Sequence, residues 1–118
     1  MPREKVPEGV YQVIILSCYA IRFEQKSVGA LDMDLIITMG KHKGERLDRK
    51  IFLGTDLAKA KALFVRLGGN LRDETTVEED AKALRGNLLR VQVKHDPQGR
   101  VKPLIFGSEG RDDPERYL

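Results

Sequence analysis

Lys41, Lys43, Arg46, Arg49 and Lys50 crowd one short stretch of the chain, opposed there only by Glu45 and Asp48. Cations at this density attract phosphates, and each phosphate they neutralise releases counterions. Phe52 follows Lys50 by two positions and so shares its face in an extended chain. A ring exposed beside such cations can stack on an unpaired base. The combination points to a single-stranded nucleic acid. Two plainer readings stand beside it: the turn is polar because it is solvated, and Phe52 packs beneath the segment that follows.

Further candidates lie elsewhere. Arg22 and Phe23 sit at the mouth of a connecting loop, residues 24–30, that also carries Lys26. Phe23 is the better stacking ring there. Tyr19 is expected in the core with its hydroxyl at the rim, and Tyr11 in the core. Arg90 and Lys94 share one strand face, and Arg100 and Lys102 share another, so the four could form a second basic stripe or an ordinary solvated face. Asp32 and Asp34 argue against a nucleic acid on their own strand. They could instead pair with Arg46 or Lys50 across the hairpin.

The same residues say little for catalysis. Asp32 and Asp34 have a spacing that some metal nucleases use, but such a site needs more convergent groups, such as a third acid with a nearby lysine, and the closest acids, Glu45 and Asp48, are themselves embedded in bases. His42 lies in a turn and His95 beside one, neither with a nucleophile at a recognisable spacing. Gly40-Lys41-His42-Lys43-Gly44 lacks the residue order of a phosphate loop. Neither an enzyme nor a cofactor is expected. A single cysteine, Cys18, excludes an internal disulfide and reads as a buried, inert thiol.

A chain of 118 residues, 41% hydrophobic and 33% charged, predicts one globular domain. Its net charge of +3 is a mild bias toward an anionic partner. The first residues lack the apolar core of a leader, and no stretch reaches the ~20 apolar residues of a membrane span, so a cytoplasmic location is expected. Residues 1–8, with Pro2 and Pro7, read as a loose arm. Val10 to Phe23 is apolar on both parities and rich in β-branched residues, which predicts a long, bent strand. Leu31, Met33, Leu35 and Ile37 alternate in a second strand, and Leu47, Ile51 and Leu53 in a third. Thr55 or Asp56 should cap a helix whose stripe is Leu57, Ala60, Phe64 and Leu67, stopped by Gly68-Gly69. Thr76-Val-Glu-Glu79 reads as a capping box for a second, short helix. Leu89, Val91 and Val93 mark a fourth strand, Asp96-Pro97-Gln98-Gly99 a turn, and Arg100 to Phe106 a fifth strand. Residues 108–118 are read as a mildly acidic tail.

Five strands with a helix between the third and fourth have the connectivity of the OB-fold barrel. Such barrels bind oligonucleotides on strands 2 and 3 and in the loops joining strands 1–2 and 4–5. The chain also resembles phage-encoded single-stranded DNA-binding proteins over roughly residues 6–107. The likeness lies in Val6-Pro-Glu-Gly-Val-Tyr11, in the loop leading to Met33 and the Leu35-Ile-Ile strand, and in Gly40-x-x-x-Gly44 followed by a basic strand. It implies one barrel per chain and DNA binding without sequence preference, in replication or recombination. It also implies an acidic tail that recruits partner proteins, although here Arg111 and Arg116 dilute the acids. A barrel this small covers long strands by associating, so a homodimer is the expected assembly. The competing reading is a protein-interaction or assembly module on the same barrel, with no nucleic-acid binding.

Overall fold

The computed structural model describes residues 6–22 and 29–118; the candidates Phe23 and Lys26 lie outside them. Five antiparallel strands form one sheet: β1 (Gly9–Ile21), β2 (Gly29–Ile37), β3 (Arg46–Gly54), β4 (Asn87–His95) and β5 (Val101–Arg111). Their order in space is β3-β2-β1-β4-β5. β1, the longest strand, is the centre of the sheet and pairs with β2 on one side and β4 on the other.

A β-bulge explains why both parities of β1 are apolar. Ile15 pairs with Leu35 and Ser17 with Asp34, so Leu16 is an extra residue. Before the bulge, odd positions such as Val13 and Ile15 face the core. After it, the even position Cys18 does. Arg85 fixes this point: its Nε donates to the Leu16 carbonyl at 3.1 Å, and Gly86 N–H donates to the Ile15 carbonyl at 2.8 Å.

The core lies between the inner face of the sheet and two helices. Leu31, Met33, Leu35, Ile37, Leu89, Val91 and Val93 are fully buried, as are Phe64, Leu67 and Ala81. Helix α1 (Leu57–Arg66) starts at Asp56, whose carboxylate accepts from Lys59 N–H at 3.2 Å. It ends at Gly68, with φ +85°, where a Cβ would meet Ser108 at 2.9 Å. Helix α2 (Val77–Lys82) departs from expectation at its cap. Thr76 makes no cap, because its hydroxyl donates to the Asp80 carboxylate at 2.7 Å, a charged and stronger acceptor. The capping box belongs to Asp73, which opens a 3-10 turn over Glu74–Thr76.

Three further expectations shift. The helical connection does lie between β3 and β4, but the sheet is not a closed barrel: β3 and β5 are its two edges, lying near one another without a shared ladder. β5 runs on to Arg111, past a bulge opposite Arg90 and Val91, so the acidic segment supplies the strand's end. After it, a 3-10 helix, Pro114–Tyr117, docks through Arg85 Nη2 to Glu115 Oε1 at 2.9 Å. Val6, expected in a loose arm, is buried, and its carbonyl lies 2.7 Å from His95 Nε2.

Candidate nucleic-acid interface

The register of β1, β2 and β3 arranges the outer face in rows. Ile21, Ala30 and Phe52 form one; Tyr19, Asp32 and Lys50 the next; Ser17, Asp34 and Asp48 the third; Ile14, Ile36 and Arg46 the fourth. Phe52 is 71% exposed, so it does not pack beneath α1. Tyr19, expected in the core, is 56% exposed. The bulge at Leu16 is the reason: it turns the odd positions after it outward. Both rings therefore stand on one face, beside Lys50. Tyr11 is half-buried and donates its hydroxyl to the Pro7 carbonyl at 2.8 Å.

The acids of these rows are Asp32 and Asp34 on β2 and Asp48 on the β3 edge. Ser17 Oγ donates to Asp34 Oδ2 at 3.1 Å. Asp34 stands opposite Asp48, not Arg46, while Asp32 stands opposite Lys50. The turn at 40–44 divides its side chains between two environments. His42 folds down, its ring centroid 6.0 Å from that of Tyr11 and its Nδ1 3.2 Å from Glu45 Oε1. Lys41 and Lys43 remain exposed. From Arg46 to Phe52 the strand spans about 20 Å, so the expected cluster is drawn out into a track along the β3 edge.

A cleft of about 580 Å³ opens between the two sheet edges. Arg49 and Lys50 line it from β3, and Arg100, Val101, Lys102 and Pro103 from the other side, with Asp48 the one acid among its lining residues. Arg49 occupies an inward-facing position, between Leu47 and Ile51, and its Nη1 donates to the Lys50 carbonyl at 3.3 Å. Lys94 stands directly opposite Lys102 on the β4–β5 ladder, and both are exposed. The two basic stripes of the sequence thus meet across the gap.

The candidate cations divide by what holds them. Arg22 is bound by Glu78 and by the Glu74 carbonyl; the hydrogen bond to Glu78 raises the guanidinium pKa further and lowers that of the carboxyl. Arg90 pairs with Glu109 at 2.9 Å. Arg100 is held in the turn by Asp96 at 3.1 Å and Gln98 at 2.6 Å. Asp96 also accepts the Arg100 and Gln98 backbone N–H groups, and the first of these bonds is the main reason its pKa is lowered. Among the described residues, Lys41, Lys43, Arg46, Lys50, Lys94 and Lys102 have no acid within ion-pair distance.

Among the described residues, no group of three or more His, Cys, Asp or Glu side chains could hold a metal ion. Among the same residues, no helix is long and apolar enough to cross a membrane. No curated protein and no solved structure matches the chain. A family model does match, over residues 2–103, which take in β1 to β4 and the start of β5: the chain belongs to the family described as protein of unknown function (DUF669).

Proposed function

We propose that this protein binds single-stranded DNA without sequence preference, and that its open sheet is an OB barrel unlaced between β3 and β5. The strand order supports the second part: β1 pairs with both β2 and β4, and helices join β3 to β4, as in that barrel. One observation carries the first part. Along the β3 edge, the exposed side chains of Lys41, Lys43, Arg46 and Lys50 face solvent without acid partners among the described residues, and the exposed Phe52 ring stands beside them. The cations would follow the phosphates, and Phe52 and Tyr19 would stack on bases. We further propose a role in phage DNA replication or recombination, in the host cytoplasm, on the sequence resemblance alone. The role needs no catalysis, metal or cofactor.

Fluorescence anisotropy tests the reading. A single-stranded oligonucleotide should bind more tightly than its duplex, with affinity falling steeply as salt rises. Equal duplex affinity, or no binding at low salt, overturns it.

A second reading, an assembly module, draws on the opposite edge. Phe106 is 56% exposed on β5, and Val10 and Leu104 flank Gln92 in one row of the same outer face. Under that reading the wild-type chain sediments as an oligomer and Phe106→Ser as a monomer, with no response to DNA.

A further inference from the structure

We propose that the cleft between β3 and β5 is a clamp for a chain of phosphates, and that its occupation staples the two sheet edges together. Its nucleic-acid ligand follows from the reading above; the site and its action on the fold are argued from the cleft itself. Lys50 reaches the cleft from β3 and Lys102 from β5, with Lys94 directly opposite Lys102. Like charges facing each other on an antiparallel pair repel. Here Lys50 lines the same open gap as Lys102 from the other edge, and Arg49 and Arg100 add two further cations to the lining. Among the described residues no acid, Asp32 opposite Lys50 included, lies within ion-pair distance of these lysines. Asp96 is bound to Arg100, and Asp48 is the single carboxylate in the lining. An anion seated between the edges would relieve the repulsion on both sides at once.

The chemistry of the edges selects the kind of anion. An acidic peptide would enter as an added strand and would need a continuous row of backbone donors. Pro103 interrupts that row on β5, and charged residues along both edges resist strand addition. A phosphate chain needs no ladder, only the side-chain cations. Because its contacts come from both edges, binding must bring β3 and β5 under one constraint.

The test combines hydrogen–deuterium exchange with salt titration, using oligothymidylate and, separately, inorganic polyphosphate. For the wild type, oligothymidylate should slow exchange in both Arg46–Gly54 and Val101–Arg111. The variant Lys94→Ala/Lys102→Ala should lose the protection of β5 while keeping that of β3. Its salt slope should fall by about 1.4, and its affinity roughly 20-fold near 0.1 M salt. Lys102→Glu should weaken binding further while raising the melting temperature, since it replaces a repulsive pair with an attractive one. If both variants bind oligothymidylate as the wild type does, with β5 exchange unchanged by ligand, the clamp is wrong and the single-strand reading stands. If the wild type ignores oligothymidylate but polyphosphate protects both edges, the clamp stands and that reading falls. Binding of neither overturns both.

Discussion

The helical side of the molecule and the β3–β5 side carry similar charged residues and treat them in opposite ways. Around α2 each arginine has its acid: Arg72 with Asp80 and Glu79, Arg22 with Glu78, Arg85 with Glu115. Asp80 is only 6% exposed and accepts from the Arg72 backbone, the Arg72 guanidinium and the Thr76 hydroxyl. Along β3 and across the cleft, lysines stand in the open without such partners among the described residues. Composition alone does not distinguish the two. Charge held by neighbours works for the fold, whereas charge left to solvent is available to a ligand.

The largest effect should come from breaking the helical side. Asp80→Ala removes the acceptor of three hydrogen bonds at a buried position, and should cost about 2–3 kcal/mol of stability. The urea midpoint should drop while the folded fraction binds DNA with unchanged affinity. Lost affinity in the folded fraction would mean that the two sides are not independent.

Acid should reach the same network by another route. Desolvation pushes the Asp80 pKa up, but the bonds from Thr76 and from the Arg72 backbone and guanidinium outweigh it and hold it below the ordinary carboxylate range. Its contribution is therefore complete above a pH of about 4, near the unfolded value, and is lost as pH falls toward the lower folded value. Urea midpoints of wild type and Asp80→Asn should differ near neutrality and converge in acid. A gap that persists in acid would deny the carboxylate this role.

On the other side, Phe52→Ala should cost roughly 1–3 kcal/mol of binding with little change in melting temperature, because the ring is already exposed. A large stability loss with intact affinity would return Phe52 to a structural role. The smallest effects should sort the cations. Lys50→Ala and Arg46→Ala should each lower the salt slope by about 0.7, equally for every base composition. Arg90→Ala and Arg100→Ala should change the slope less, because Glu109 and Asp96 already hold those side chains. Surface pairs of this kind contribute about 0.2–1 kcal/mol to stability. Equal slopes for all four variants would erase the distinction between held and open charge.

Local signals were the legible ones. The period of Leu57, Ala60, Phe64 and Leu67 and the cap at Asp56 defined α1, and the Asp96–Gly99 turn formed as its residue types require. What stayed hidden depends on distant partners. Nothing near Arg22 in the chain announces Glu78, and nothing near Tyr19 announces that a bulge has turned it outward. The cleft was invisible for the same reason. Lys50 and Lys102 belong to strands far apart in sequence, and only the failure of β3 and β5 to pair brings them to one gap.

Leu16 is more than an irregularity in β1. It sets the strand's reading frame, in the sense that flattening the bulge, with Leu16 drawn into the ladder, would impose strict alternation and invert everything from Ser17 onward. Tyr19 would be driven into the core and Cys18 into water. In its present place the Cys18 thiol is pushed up to about 12, by burial first and by Asp32 second, and is inert. Turned outward it would regain the reactivity of an ordinary surface thiol, so an alkylating reagent would report the lost frame directly. What guards that frame is an arginine 69 residues further along the chain, whose guanidinium holds the one carbonyl that breaks the alternation.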